Sequence, residues 1–531
     1  MLTYSCLEVL SSAPHDQKNR RWKNPIIVEK ANGHPIGGAG PDDETRLSTP
    51  DYSENPGGSS DELAAAVSLP ASDEEVEIRL KPEVGLTDDR AQIRRRIVQL
   101  ALPTLAEMTL MTLVSMADMI MVGRLGPWAI TSVGLSNQPM FMAMSVFMSL
   151  NVGATALVAR SVGAGRPDDA YKTARQALVM AASIGTVLAI AGVVFARDIL
   201  LWMGAQADVL GPGTAYLRIV AAGLLFQGAT ISLSASLRGA GDTKTPMSVN
   251  LVANVVNVIG NWLLIFGHLG FPRLEVVGAA IPTLISRFVA CVLILRKVFG
   301  HRGAIKMSMT DSFRLDKETV RRISRVGLPA ALEQLVMRSG QMTFARIVSS
   351  FGTVTYAAHQ VALNVEGLSL TPPQAFQTAA TALTGQSLGA KRPDRAVKVG
   401  QEARLLGITL AAITGTTLFF LGRYVVRLYT DDRQVVNMSS AALKIIAVAQ
   451  PFMATSFVLS GALRGAGDTK WTLYITMAGV WGVRVVAAYL LAIRLGMGLN
   501  GAWIGMALDM IARAILVNLR FRAGHWTKIN V

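Results

Sequence analysis

Apolar residues recur along the chain in blocks of about 20, separated by short polar stretches. A block of this length crosses the roughly 30 Å hydrocarbon layer of a bilayer as an α-helix. Twelve such blocks follow residue 97, at roughly 98–121, 130–155, 173–195, 213–236, 246–267, 275–297, 325–347, 355–382, 400–421, 441–463, 472–493 and 500–519. The pattern predicts an all-α integral membrane protein with twelve transmembrane helices.

The polar stretches outside these blocks predict three further segments. Residues 1–92 are rich in Gly, Pro, Ser and Asp without hydrophobic periodicity, which indicates a disordered acidic tail. This tail has neither the apolar core of a secretory signal nor the basic character of a transit peptide. It is either a regulatory segment or sequence upstream of the true start. Residues 298–324 predict a cytoplasmic connector, and 521–531 a cytoplasmic tail.

The chain contains an internal duplication. The octapeptide LRGAGDTK occurs at Leu237–Lys244 and again at Leu463–Lys470, an offset of 226 residues. Two more pairs share this offset: ATALVARSVGAGRPD with ATALTGQSLGAKRPD, and LPTLAE with LPAALE. Six spans per half is an even number, so both halves enter the membrane the same way up. We therefore expect two parallel six-helix repeats, an N-lobe at 93–297 and a C-lobe at 325–520.

Composition agrees with a membrane protein: 51% of residues are hydrophobic and 16% are charged, with mean hydropathy +0.38. The formal net charge of +15 comes from basic residues in alternate loops. This distribution predicts that both termini are cytoplasmic in the cell (inner) membrane, and it does not indicate nucleic-acid binding. The two cysteines, Cys6 and Cys291, lie in unrelated settings and predict no disulfide framework.

The motifs resemble those of the multidrug and toxic compound extrusion (MATE) family over about residues 95–520. They are LPTLAEMTLMTLVSMADMIMVGRLG in the first span, SVGAGRPDDA after the second and SLRGAGDTKTP after the fourth. The second half repeats them as SLGAKRPDRA, AAHQ and ALRGAGDTK. The resemblance implies a two-lobed bundle that exports cationic drugs in exchange for Na⁺ or H⁺.

Ionisable residues within spans are costly in a bilayer and mark candidate functional sites. In the first half, Glu107 and Asp118 stand eleven residues apart, about three turns, so they share one face of their helix. Asn254, Asn257 and Asn261 share a face of the fifth span and supply either ligands for Na⁺ or hydrogen bonds between helices.

The resemblance gives Asp118 the role of a cation-binding acid in the first lobe. If the amides of the fifth span are ligands, Na⁺ would be held by Asp118, Asn257 and Asn261. A carboxylate suits this role because it either binds Na⁺ or exchanges it for a proton. The alternative is an interfacial carboxylate paired with Arg124. Archaeal-type proton-coupled members of the family carry an Asp where Asn261 stands, so a two-aspartate proton site is not expected here.

The second half offers its own candidates. Glu333 is the repeat mate of Glu107, and it is either a cavity acid or a structural carboxylate near the membrane entry. Glu366 is predicted to couple ion movement together with Asp118 and Glu333. Gln360 and Gln450 are candidate cavity residues. Arg484 and Asp509 are expected to form a buried structural pair.

These features predict an antiporter that exports small organic cations or drugs by alternating access between two lobes. It is expected to be a monomer in the lipid bilayer, without a cofactor and with Na⁺ or H⁺ as the coupling ion. A flippase for lipid-linked saccharides with the same architecture is the alternative. A membrane enzyme is disfavoured, because no span pairs carboxylates at metal-ligand spacing and no Gly-rich loop follows a strand.

Overall fold

The computed structural model describes residues 89–300 and 314–529, and the segment expected to be a disordered tail therefore lies almost wholly outside the described residues. The described part contains twelve long helical segments, labelled α1 to α12 in chain order. They are α1 Arg90–Gly123, α2 Pro127–Gly163, α3 Pro167–Val194, α4a Ala207–Ala222 with α4b Leu224–Gly239, α5 Lys244–Phe266, α6 Glu275–Phe299, α7 Lys317–Ser349, α8 Thr353–Gly389, α9 Pro393–Arg427, α10 Arg433–Gly465, α11 Thr469–Arg494 and α12 Gly498–Arg522. Short helices occupy Ala196–Trp202, His268–Gly270 and His525–Lys528.

Nine helices of the described chain are long and apolar enough to cross a membrane, and the pair α4a and α4b makes a tenth candidate across a 42° bend. The two helices below this threshold, α7 and α8, match the others in length. α7 carries Glu333, Arg338 and Arg346 along its length, which lowers its hydropathy. The all-α membrane fold is confirmed.

The helix boundaries reproduce the sequence duplication. α2 and α8 begin and end at residues that are 226 positions apart, as do the start of α4a with that of α10 and the end of α4b with that of α10. Side-chain contacts repeat as well: the Thr155 hydroxyl donates to the Ala235 carbonyl at 3.1 Å, and Thr381 donates to Gly461 at 2.9 Å. The two halves are therefore two copies of one six-helix unit.

The two copies meet through a reciprocal contact at the ends of α2 and α8. A side chain on Gly163 would overlap the backbone of Gln386, and one on Gly389 would overlap that of Arg160. Because Arg160 and Gln386 are themselves repeat mates, each half presents the same patch to the other, as across a two-fold axis. Glycine at both positions allows the backbones to touch.

The first turns of α1 and α7 cross into the opposite lobe. Ile97 packs in a cluster with Phe376 and Leu383 of the C-lobe, and its repeat mate Ile323 packs with Leu150 of the N-lobe. Both isoleucines are fully buried. The lobes are thus interlocked at the end of the molecule that carries the LRGAGDTK loops.

The structure differs from the expected boundaries at both predicted cytoplasmic segments. α7 begins at Lys317, so the end of the predicted connector is helical, while residues 301–313 lie outside the described chain. The predicted tail begins inside α12 and folds back on it. Trp526 is fully buried, stacks on Phe521 at 4.9 Å and donates its indole N–H to the Phe521 carbonyl. This apolar anchor escapes hydropathy analysis because basic residues surround it.

Candidate functional site

In the N-lobe, Asp118 of α1 lies against the amides of α5. The Asn261 amide donates to the Asp118 carboxylate at 2.7 Å. With its nitrogen facing the acid, the Asn257 amide donates to both carboxylate oxygens at 3.2 Å, and its oxygen accepts from Thr283. Within the described residues no ion pair joins Asp118 to Arg124, so the interfacial pairing considered from the sequence is not formed. The carboxylate is held by neutral donors.

Glu107 forms a second rung between the same two helices. Asn250 of α5 donates to Glu107 at 2.6 Å, and Arg238, in the last turn of α4b and in the first LRGAGDTK copy, pairs with it at 2.7 Å. The acids stand eleven residues apart on α1, and their amide partners Asn250 and Asn261 stand eleven apart on α5. The two helices therefore run in the same direction with matching spacing. The rung of Glu107, nearer the LRGAGDTK copies, is called the inner rung, and that of Asp118 the outer rung. The two differ because Glu107 has a cationic partner and Asp118 has none.

A cavity of about 180 Å³ lies beside the outer rung. Its walls come from α1, α4b, α5 and α6, and they include Asp118, Gln227, Asn254, Asn257 and Arg287. The sequence analysis overlooked Arg287, although an arginine inside an apolar span is itself a signal of function. Its guanidinium donates to the Val220 carbonyl at 2.8 Å. The cavity thus combines one acid, one base and several amides.

In the C-lobe, Glu333 repeats the inner rung. Arg464 of the second LRGAGDTK copy pairs with it at 2.6 Å, and the hydroxyls of Thr472 and Thr476 donate to it at 3.0 Å. Thr476 stands at the repeat position of Asn250. Three bonds from largely buried partners favour the structural carboxylate over the cavity acid, the two alternatives that the sequence left open for Glu333.

Glu366 of α8 has a different environment. It is 4% exposed, and none of the described residues forms an ion pair with its carboxylate within 4.0 Å. Arg484, which is itself paired with Asp509, is the charged group that acts on it electrostatically. Gln450, another candidate, is fully buried and donates to the Ser369 hydroxyl at 2.9 Å, whereas Gln360 is exposed and donates to Tyr356 at 2.7 Å. These three candidates therefore do not form one cluster through hydrogen bonds.

Arg484 and Asp509 lie in contact, with the guanidinium 2.7 Å from the carboxylate. Arg513, which the sequence analysis missed, reaches the same carboxylate at 2.8 Å. Gly479 lies against both Asp509 and Arg513, and a side chain there would overlap them. The result is a tightly packed charge cluster.

The C-lobe cluster occupies the place of the N-lobe cavity. Gly278 of α6 begins the sequence GAAI and contacts Leu264, and Gly501 of α12 begins the matching sequence GAWI and contacts Leu491. Leu491 lies 227 positions after Leu264, one more than the repeat offset of 226. The extra residue is accommodated because α11 is π-helical over Ala478–Val485 and Tyr489–Arg494. This register puts Arg484 at the position of Asn257. Where the N-lobe is open and lined by amides, the C-lobe is filled by an ion pair.

Comparison with known proteins agrees with the two-copy architecture. A family model described as MatE matches the chain twice, over residues 103–263 and 329–490. A probable multidrug resistance protein NorM from Thermotoga maritima is 32% identical over 444 residues, covering 82% of this chain and 94% of that protein. An uncharacterized transporter, YisQ, from Bacillus subtilis is 28% identical over 432 residues, covering 81% of this chain and 94% of YisQ.

Solved structures show the same fold. One, described as the outward-facing conformation of a multidrug resistance MATE family transporter, has a TM-score of 0.76 at 25% identity. It covers 81% of this chain and 96% of its own. A MOP superfamily transporter from Pyrococcus furiosus, whose description reports a reverse polarity of the binding pocket, has a TM-score of 0.77 at 25% identity. It covers 82% of this chain and 97% of its own.

The repeated six-helix lobes, the apolar spans and the polar interior define a multi-pass membrane transporter. The protein is thus a transporter and not an enzyme. The family match covers more than half of the chain, in both repeats, and the chain belongs to the MatE family.

Proposed function

We propose that this protein is an antiporter that exports small organic cations or drugs in exchange for Na⁺ or H⁺. The observation that carries the proposal is the outer rung of the N-lobe, where the Asp118 carboxylate borders a cavity and has no cationic partner among the described residues. An acid held by neutral amides is free to bind a cation from either solution. The names of the relatives support drugs as the substrates.

The four candidate acids divide into two groups. Glu107 and Glu333 each pair with the arginine of an LRGAGDTK copy, in the last turn of α4b and of α10, so their charge is neutralised within the fold. Asp118 and Glu366 carry no such bond. We assign ion coupling to Asp118 in the N-lobe and to Glu366 in the C-lobe. The two paired acids have a structural role.

The amides around Asp118 bear on the identity of the coupling ion. A proton needs only the carboxylate, whereas Na⁺ needs several oxygen ligands. Asn257 and Asn261 present nitrogens to Asp118, and binding of Na⁺ would require their amides to turn. The Asn261 amide can turn without breaking a hydrogen bond of its oxygen, because that oxygen is buried and has no partner. Coupling to H⁺ therefore predicts that the amide nitrogens face Asp118, and coupling to Na⁺ predicts that the amide oxygens face the ion.

The contacts between the lobes support an outward-open state for the described conformation. They gather at the end with the LRGAGDTK loops, where Arg94 of α1 pairs with Glu402 of α9 at 2.6 Å. This end is cytoplasmic if both termini face the cytoplasm, as the distribution of basic loops indicates. Rocking of the lobes would open this end and close the other. A single chain supplies both lobes, so we propose a monomer in the cell (inner) membrane.

The alternative of a flippase for lipid-linked saccharides receives no support from the NorM relative, whose name refers to multidrug resistance. A receiver of pyrophosphate would also need a strongly cationic interior. Both lobes instead pair acids and bases within their spans.

Ethidium efflux from energised cells tests the proposal. Cells that express the protein should lose preloaded ethidium faster than cells with an empty vector, and a protonophore or removal of Na⁺ should abolish the difference. Asp118→Asn should reduce the rate to that of the vector, because an amide neither titrates nor attracts a cation. Asp198→Asn, in the short helix Ala196–Trp202, is the matched control and should transport normally. Full gradient-driven efflux by Asp118→Asn would remove this acid from the mechanism.

A further inference from the structure

The N-lobe cavity is bordered by two opposite charges that do not neutralise each other. Asp118 and Arg287 both line it, and Tyr216 lies within electrostatic reach of each. Their bonds within the protein are made to neutral groups: Asp118 accepts from Asn261, and Arg287 donates to a backbone carbonyl. Two charged groups that are not bonded to each other are costly inside a membrane protein unless a ligand or an ion neutralises them.

Arg287 retains most of its hydrogen-bonding capacity. A guanidinium has five N–H donors, and one of them bonds the Val220 carbonyl. Within the described residues, no carboxylate approaches Arg287 to ion-pair distance. The Asn254 amide nitrogen, on another wall of the same cavity, is buried and has no acceptor. Besides the Asp118 carboxylate, the cavity therefore offers donors that lack a partner.

The local fold explains how Arg287 is held in place. α4a ends next to Gly223, and the helix direction changes by 42° before α4b begins. Arg287 lies against Gly223 and bonds the Val220 carbonyl in the last turn of α4a, which positive groups favour. This cap needs one N–H group and no net charge, so a neutral amide would also serve. The charge remains to be explained by a ligand.

We propose that Arg287 and Asn254 form a subsite for an anionic or strongly electron-rich group of the transported molecule, while Asp118 receives its cationic group. The substrates would then be amphoteric, with an acid and a base in one molecule. The inference rests on the proposed transport function and assigns its substrate class. At about 180 Å³ the cavity is smaller than the roughly 300–1,000 Å³ of pockets for drug-sized ligands. It therefore admits one charged end of a larger molecule.

A matched pair of dyes tests the subsite. Rhodamine 110 carries a free carboxyl group, and rhodamine 123 is its methyl ester, a cation of nearly the same shape. We expect the purified protein to bind rhodamine 110 about tenfold more tightly, as one charge-assisted hydrogen bond predicts. Arg287→Gln keeps an N–H for the cap, and it should lose this preference while still binding rhodamine 123 as before. Arg287→Lys should keep part of the preference.

Arg218→Gln, an exposed arginine of α4a, is the matched control and should leave both affinities unchanged. The subsite is refuted if Arg287→Gln weakens both dyes alike, since that result indicates a structural arginine, or if it weakens neither. Ethidium, which has no acid, separates the two proposals. If the wild type exports ethidium but shows no preference for the free carboxyl, this inference fails alone. If it exports neither ethidium nor the rhodamines, both proposals fail together.

Discussion

Whether a buried acid stabilises the fold or is able to bind an ion depends on the one or two side chains that contact it. Glu333 and Arg464 form a buried pair, with side chains 7% and 14% exposed. Removing one partner of such a pair leaves an uncompensated charge, whereas replacing both is often tolerated. The paired acids therefore contribute to stability in a way that Asp118 does not.

We expect Arg464→Met to destabilise the protein by about 3–5 kcal/mol, because Glu333 would be left with hydroxyl donors alone. The measurement is the fraction of purified protein that remains monodisperse in detergent after heating. The double variant Glu333→Gln/Arg464→Met should recover most of the loss, because it removes both charges. Equal stability of the single variant and the wild type would show that the pair is not a structural element.

Sequence reasoning reached the partners of Asp118 because the helical period places Asn257 and Asn261 on one face of α5. It did not reach the partner of Glu107, since Arg238 lies on another helix, in a motif that served only to identify the duplication and the family resemblance. It also missed Arg287 and Arg513. Arg287 bonds a carbonyl of another helix at the break between α4a and α4b, which no local pattern encodes. Arg513 lies four residues after Asp509 on α12, a spacing from which the pair could have been predicted.

At the scale of elements, two latches join the lobes at the LRGAGDTK end. Arg94 of α1 bonds Glu402 of α9, and Asp316 at the start of α7 bonds Lys172 of α3 at 2.7 Å. The Gln176 side chain accepts from the Asp316 backbone N–H and stands at the repeat position of Glu402. The same junction thus occurs twice, with the signs of its charges exchanged.

We expect Glu402→Gln to shift the lobes away from the described state by a factor of about five or less. A partly exposed ion pair contributes roughly 0.2–1 kcal/mol. Energy transfer between dyes on Leu269→Cys and Leu495→Cys, in a background without Cys6 and Cys291, would report closure of the other end. Both sites are exposed, in loops that correspond between the repeats.

The charge swap Arg94→Glu/Glu402→Arg should restore the wild-type distance, and Glu318→Gln, an exposed acid within one lobe, should not alter it. The second latch should also be insensitive to pH between 5 and 8. The Lys172 ammonium and the Thr319 hydroxyl hold the pKa of Asp316 well below its usual range. Its contribution is present above the ordinary carboxylate pKa and is lost only as the pH falls through the lowered value. A change of distance within this pH range would contradict that assignment.

Boundaries and bends of elements show where sequence reasoning ends. The apolar blocks predicted each helix, because hydropathy reports burial in lipid. They did not predict the break at Gly223, where the apolar run is continuous, or the π-helical turns of α11, which insert one residue without changing the composition. The break holds Arg287 at the N-lobe cavity, and the extra residue of α11 places Arg484 where the N-lobe has Asn257.

At the scale of the whole molecule, two copies of one unit have acquired different interiors. The inner rungs, the reciprocal glycine contacts and the latches are retained in both copies. The outer sites have diverged, with amides around Asp118 in one lobe and the pair of Arg484 and Asp509 in the other. We infer that the shared features carry the motion of the lobes and that the divergent features carry binding.

The central claim is that Asp118 links ion entry to export, and substrate-driven ion flux in proteoliposomes tests it most directly. Vesicles loaded with a pH-sensitive or a Na⁺-sensitive dye should report H⁺ or Na⁺ movement when ethidium is added to the opposite side. We predict that one of the two ions moves with the wild type and that neither moves with Asp118→Asn. Undiminished ion movement in Asp118→Asn, with the variant folded and inserted as the wild type is, would contradict the account.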